Sequence, residues 1–142
     1  MNKPKLTLLI DDDEADNEYH EIVMKASGGA NEIKNIQDSR TALEYFKKCF
    51  NHEGGSEYAL PDLVFIDINL PALNGFELLD KIRNLPDPGH LRDKLKIFML
   101  TGSLNPDDKT RAEGQYSDLV CGYRIKPLTD TMFLGIVQKY FP

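Results

Sequence analysis

The sequence predicts an α/β fold in which a five-stranded parallel sheet is combined with five helices. Short apolar runs such as Leu6–Ile10 and Leu63–Ile66 alternate with longer stretches in which apolar residues recur at helical spacing. This alternation is typical of parallel sheets whose strands are joined by helices. A chain of 142 residues that is 41% hydrophobic fits one domain with one packed interior. We therefore expect residues 1–142 to form a single domain.

The first half of the chain supplies three strands and two helices. The first apolar run is the first strand, and Asp13 is the expected N-cap of the helix after it. Gly28-Gly29 ends that helix, and Glu32–Gln37 is a half-polar strand suited to a sheet edge. A second helix starts near Asp38, and the third strand is Leu63–Asp67. The apolar residues that recur at helical spacing in the first helix are Ala15, Tyr19, Ile22, Val23 and Ala26.

The second half continues the same alternation. Phe76–Leu85 is a helix, and Leu95–Leu100 is the fourth strand. Asn105-Pro106 supplies an N-cap and a proline at the first position of the fourth helix. The fifth strand is Val120–Ile125, and the last helix runs over Thr129–Tyr140.

Chemically active side chains follow four of the predicted strands. Asp11 and Asp12 follow the first strand, Asp67 ends the third, Thr101 follows the fourth and Lys126 follows the fifth. In an open parallel sheet, ligands bind outside the carboxyl ends of the strands. The fold would therefore bring carboxylates, a hydroxyl and an ammonium group to one edge. That set could hold a divalent metal ion together with a phosphoryl group.

Each of these signals has a simpler explanation when it is taken alone. The Asp11–Asp13 run can be helix capping and solvated charge, and a Thr-Gly pair after a strand is usually a turn. A lysine at a strand end usually extends its charge to water. The order and the spacing of the whole set carry the interpretation.

The ordered set resembles the receiver domain of a two-component response regulator, and the resemblance spans essentially the whole chain. It implies a flavodoxin-like, doubly wound sheet with strand order 2-1-3-4-5 and five helices. The loops 51–59 and 86–93 and the stretch Thr101–Pro106 are similar to those of stand-alone bacterial receivers, including partners of phytochrome-type kinases. On this resemblance, the chain is a single receiver domain without an output domain.

The resemblance also implies roles for individual residues. Asp67 matches the phosphoacceptor. Asp11 and Asp12 match the acidic pair that, with Asp67 and the backbone carbonyl of Asn69, holds Mg²⁺ (or Mn²⁺). Thr101 matches the hydroxyl that binds the phosphoryl group and shifts on activation.

The remaining matches surround the phosphoacceptor. Lys126 matches the lysine that contacts the phosphoryl group, in a Lys-Pro pair that is usually cis in the family. Tyr123 matches the aromatic switch position, whose ring turns inward when the hydroxyl residue moves. Gly102 would offer its backbone N–H to the phosphoryl group. Asn69 and Ser103 match positions that tune the lifetime of the phosphorylated state.

The implied function is two-component signal transduction. A sensor histidine kinase or a histidine phosphotransfer protein would donate the phosphoryl group, and an unknown downstream protein would read the changed surface. The chain would be a phosphoacceptor with possible autodephosphorylation rather than a dedicated enzyme. The sequence leaves open a shuttle or phosphate sink in a phosphorelay, and a docking module that acts without phosphorylation. A homodimer through the last helix also stays open, because Tyr140-Phe141-Pro142 would leave apolar surface there.

Other classes fit the sequence less well. A net charge of -6 argues against direct nucleic-acid binding, and no apolar run reaches the roughly 20 residues of a membrane helix. Without a signal peptide pattern, a cytoplasmic location is expected. A phosphatase of the haloacid dehalogenase type would carry Asp-x-Asp where this chain has Asp67-Ile68-Asn69. A flavodoxin-like electron carrier would need a phosphate loop where the chain has Asp11–Glu14.

Overall fold

The predicted architecture is confirmed by a computed structural model, which describes residues 2–53 and 55–142. Five parallel strands form one sheet in the order β2-β1-β3-β4-β5. The strands are β1 Leu6–Ile10, β2 Glu32–Ile36, β3 Leu63–Ile66, β4 Lys96–Thr101 and β5 Val120–Ile125. The helices are α1 Glu14–Ser27, α2 Ser39–Phe50, α3 Gly75–Arg83, α4 Pro106–Gly114 and α5 Asp130–Tyr140. Two short 3₁₀ helices, Gly55–Tyr58 and Leu91–Lys94, lie in the segments predicted as loops.

The helices cover both faces of the sheet, and each face has its own apolar core. On one face, side chains of α2, α3 and α4 pack on the sheet around Phe46, Phe76 and Ile82. On the other face, α1 and α5 pack around Met24, Phe133 and other buried side chains. Strands buried on both faces read as continuous apolar runs, which is why β1 and β3 were recognisable in the sequence. The half-polar strand β2 lies at the sheet edge, as predicted.

The buried face of α1 differs from its apolar periodicity. Tyr19 and Ile22 are 50% and 59% exposed, whereas Asn17, His20 and Met24 are buried. The polar members of this face are satisfied inside the protein, because Asn17 and His20 hydrogen-bond to backbone groups of neighbouring segments. His20 is therefore part of the protein interior rather than of its surface. Internal hydrogen bonds, rather than apolar spacing, decide which side of α1 faces the sheet.

The aromatic residues at the end of α5 pack on the protein's own core. The Tyr140 ring lies edge-on to Phe98 with ring centroids 5.3 Å apart, and Phe141 is half-buried against the same core. Asn2 Nδ2 donates a hydrogen bond to the Pro142 carbonyl at 2.9 Å. The terminus therefore presents less apolar surface than its sequence suggested, and the dimer stays a prediction. Among the described helices, none combines the length and the apolar character needed to cross a membrane.

Candidate functional site at the carboxyl edge of the sheet

Backbone hydrogen bonds extend beyond the strands and fix the residues that follow them. The Asp11 N–H donates to the carbonyl of Ile36, the last residue of β2, at 3.1 Å, and the Asp67 N–H donates to the Ile10 carbonyl at 3.0 Å. The Lys126 N–H donates to the Thr101 carbonyl at 2.9 Å. The parallel ladder therefore places these side chains side by side at one edge, as predicted.

The ammonium group of Lys126 lies at the centre of this edge. Its Nζ is 2.6 Å from Asp11 Oδ2, 2.7 Å from Asp16 Oδ2 and 2.8 Å from Asp67 Oδ2. The side chains of Asp11 and Asp67 are 8% and 7% exposed, whereas that of Asp16 is 41% exposed. Three carboxylates thus share the three donors of one ammonium group.

The second oxygens of the two buried carboxylates are held by the backbone. Asp11 Oδ1 accepts from the Asp13 N–H at 3.0 Å, and Asp67 Oδ1 accepts from the Asn69 N–H at 3.2 Å. Both carboxylates are therefore fixed from two sides. A carboxylate held in this way has a fixed orientation toward an incoming group.

Burial and pairing act against each other on the pKa values of this cluster. Burial lowers the pKa of Lys126, but hydrogen bonds to Asp11, Asp16 and Asp67 outweigh it, and the pKa is raised above its usual value. Burial raises the pKa of Asp11, and the hydrogen bonds from Lys126 and the Asp13 N–H offset only part of that. Lys126 therefore stays charged throughout the physiological range, with three carboxylates around it.

The residues at this edge suit a hard divalent cation in donor type and in charge. Carboxylate and carbonyl oxygens are the protein ligands that Mg²⁺ prefers, and three carboxylates around one ammonium leave an excess of negative charge. Lys126 lies between Asp11 and Asp67, and Asp12 is exposed. Within residues 2–53 and 55–142, no three His, Cys, Asp or Glu side chains group closely enough to hold a metal ion. The metal-binding roles of Asp11, Asp12, Asp67 and Asn69 stay predictions.

The end of β4 is connected to β5 through the loop that follows it. Thr101 is fully buried, and its Oγ1 accepts from the Ser103 N–H at 3.3 Å. Tyr123 is 6% exposed, so its ring faces inward, and its hydroxyl donates to the Ser103 carbonyl at 3.2 Å. Ser103 Oγ donates to Asp108 Oδ2 at 2.5 Å in the first turn of α4. A movement of Thr101 would therefore act directly on this loop and on the start of α4.

Two glycines near the edge differ in what they permit. A Cβ at Gly75 would lie 2.5 Å from the Asp67 carbonyl oxygen, so α3 can begin this close to the end of β3 only with glycine. A Cβ at Gly102 would meet nothing within 4 Å. Chain packing thus requires Gly75, whereas at Gly102 the backbone is open to a ligand. Gly102 and Asn69 are both exposed, so the edge is accessible from solvent.

Comparison with known proteins gives the family. The family model described as "Response regulator receiver domain" matches residues 7–120. The chain belongs to the response regulator receiver domain family. The cis peptide bond between Lys126 and Pro127, which the resemblance implied, is present in this receiver domain.

Individual relatives agree with this assignment. The receiver domain is 34% identical over 129 residues to a protein of Methanothrix harundinacea named "Probable methanogenesis regulatory protein FilR2", covering 89% of this chain and 74% of that one. A solved two-component response regulator from Cytophaga hutchinsonii superposes with a TM-score of 0.83 at 28% identity, over 99% and 98% of the two chains. A phosphorylated cyanobacterial phytochrome response regulator, RcpA, superposes with a TM-score of 0.71 at 27% identity, over 96% and 94%.

Two residues of the receiver domain's edge escaped sequence analysis. No sequence motif assigned a role to Asp16 or to His20. His20 is 3% exposed, and its Nε2 accepts from the Leu128 N–H at 3.1 Å, two residues after Lys126. Because most residues of 13–21 are polar, the polar spacing of this stretch singles out neither residue.

Proposed function

We propose that this receiver domain is a phosphoacceptor that takes a phosphoryl group onto Asp67, with Mg²⁺, and then changes its affinity for a protein partner. The observation that carries the proposal is the ammonium of Lys126 within 2.8 Å of both Asp11 and Asp67 at a solvent-accessible sheet edge. The phosphorylated state of the neighbouring phytochrome regulator RcpA supports the same chemistry here. Residues 1–142 would form one receiver domain.

The chemistry would be an in-line displacement. An Asp67 oxygen forms a bond to phosphorus as the phosphorus–nitrogen bond of a phosphohistidine breaks, and the imidazole nitrogen takes the electron pair. Bound Mg²⁺ would supply positive charge against the phosphoryl oxygens. Lys126 adds a second cation at the same place, and the backbone contact to Asp67 Oδ1 fixes the orientation of the carboxylate. Thr101 and the Gly102 N–H would bind phosphoryl oxygens and draw the loop toward the site.

The donor would be a sensor histidine kinase or a histidine phosphotransfer protein that docks beside this edge. The exposed side chains of Tyr19 and Ile22, with Val23 and Ala26, line a groove of about 340 Å³ between α1 and the start of α5. Apolar surface grouped in this way is typical of protein interaction sites. The same helix carries Asp16, whose carboxylate contacts the ammonium of Lys126.

The decisive experiment is the intact mass of the protein after incubation with acetyl phosphate. We expect one phosphoryl group to be added in the presence of Mg²⁺, and none for Asp67→Asn or with excess chelator. Adduct formation that persists in Asp67→Asn would overturn the assignment of the acceptor. No adduct under conditions that trap a short-lived acyl phosphate would favour a docking module that acts without phosphorylation.

A further inference from the structure

We propose that Asp16 is a positioning residue that keeps Lys126 at the site when a divalent cation binds Asp11 and Asp67. The proposal deepens the proposed function, because it concerns how the same site changes when Mg²⁺ binds. Asp16 is a partner of Lys126 that the metal-binding prediction leaves free.

The argument begins with the oxygens that a cation would need. Asp11 and Asp67 each hold one oxygen against a backbone N–H and the other against Lys126. A cation that binds both carboxylates must therefore compete with the ammonium of Lys126. An ammonium displaced from two partners inside a half-buried site would lose most of its compensation.

Asp16 offers the third donor of that ammonium a partner outside the metal set. Its Oδ2 lies 2.7 Å from Lys126 Nζ, and its side chain is 41% exposed, so it can keep this contact while its other oxygen stays hydrated. Its backbone is fixed as well, because the Asp16 N–H donates to Asp13 Oδ1 at 3.0 Å. Asp16 thus gives Lys126 a carboxylate partner that remains available when a cation binds Asp11 and Asp67.

The surroundings hold α1 in the register that this contact needs. Asn17 Nδ2 donates to the Asp11 carbonyl at 2.7 Å, which joins α1 to the end of β1. His20 accepts from the Leu128 N–H, which joins α1 to the segment after Lys126. Asp16 directly precedes Asn17 in α1, so these two anchors fix the helix from which Asp16 reaches Lys126.

The test is a double-mutant cycle between Asp16→Asn and Lys126→Met, with Mg²⁺ affinity measured by isothermal titration calorimetry. Asp16→Asn is expected to weaken Mg²⁺ binding by about tenfold when Lys126 is present, the effect of one charge-assisted hydrogen bond. In the Lys126→Met background the same change is expected to cost less than about threefold, since only charge is lost. Glu18→Gln removes an equal charge from an exposed position of α1 and is expected to cost less than about threefold.

Equal losses in the two backgrounds would overturn the proposal, because Asp16 would then act by charge alone. An absence of coupling between Asp16 and Lys126 in thermal unfolding with chelator would overturn it too, since the contact itself would be missing. Asp16→Glu, which keeps a carboxylate, should recover part of the affinity. The acetyl phosphate experiment is a separate test. Coupling between Asp16 and Lys126 without a phosphoryl adduct would contradict only the proposed function. A phosphoryl adduct without this coupling would contradict only the role of Asp16.

Discussion

At the scale of single residues, His20 is a buried polar group that supports the site through the backbone next to it, without contacting the carboxylates or Lys126. It accepts a hydrogen bond from the Leu128 N–H and thereby holds the segment that carries Lys126 against α1. A buried acceptor of this kind is costly to lose, by about 1–3 kcal/mol, because the facing N–H is then left without a partner. The identity of this residue therefore matters for stability as well as for site geometry.

His20 should make the stability of the protein depend on pH. Burial, and secondly the charge of Lys126, lower the pKa of His20 below its ordinary value of 6.5. The unfolded chain therefore binds more protons than the folded one, and stability is lost as pH falls from about 6.5 toward the lower folded pKa. The slope for one such group is at most about 1.4 kcal/mol per pH unit.

The measurement is urea unfolding of the wild type and His20→Gln between about pH 7 and pH 5.5. Gln can still accept from the Leu128 N–H but does not titrate, so we expect a smaller loss of stability in this variant as pH falls. The carboxylates titrate in both proteins, and the difference isolates His20. Parallel pH curves for the two proteins would contradict the prediction.

At the scale of elements, sequence predicted the strands better than the helix faces. The bounds of β1 agree with expectation, because a strand buried on both faces is a continuous apolar run between turn residues. The bounds of β5 agree too, although it is an edge strand with exposed residues. The buried face of α1 was not predictable from apolar spacing, since it depends on backbone partners contributed by distant segments. The contact of Asp16 with Lys126 was missed for the same reason: 110 positions separate the two residues.

Helix α4 shows the other limit of periodicity. Its one buried residue is Ala112, which explains the weak apolar pattern. Tyr116, just beyond its end, is fully buried and stacks on Phe76 of α3 with centroids 5.2 Å apart and planes 24° apart. The guanidinium of Arg83 lies 5.0 Å from the Tyr116 ring centre. A helix that buries a single residue of its own can open locally.

Replacing Tyr116 should release α4 selectively. Tyr116→Ala removes a fully buried aromatic ring and is expected to cost about 3–5 kcal/mol, whereas Tyr19→Ala, at a half-exposed position, should cost under about 1 kcal/mol. Hydrogen exchange read by mass spectrometry should show faster exchange in Pro106–Gly114 than in α5. Uniform acceleration across all helices would mean that α4 does not open on its own.

At the scale of the whole molecule, the proposed phosphorylation site and the groove are connected by α1. The site lies at the carboxyl edge of the sheet, and α1 begins there, so a donor protein seated on the groove would face Asp67. A small donor such as acetyl phosphate needs only the site. Comparing acetyl phosphate with a donor protein therefore distinguishes the reactivity of Asp67 from docking of the donor protein.

Ile22→Asp should weaken docking of the donor kinase and leave phosphorylation by acetyl phosphate almost unchanged. A charge in the apolar groove is expected to slow transfer at least about tenfold from any autophosphorylated histidine kinase core that labels the wild type, because a desolvated charge would lack a partner in the complex. Labelling by acetyl phosphate should stay within about twofold, since Ile22 is 59% exposed and lies outside the ion-pair cluster. Cys121→Asp, at an exposed residue near the beginning of β5 and so at the opposite edge of the sheet, is the matched control. Equal slowing by the two variants, measured as initial rates of transfer, would show that the donor does not dock on α1.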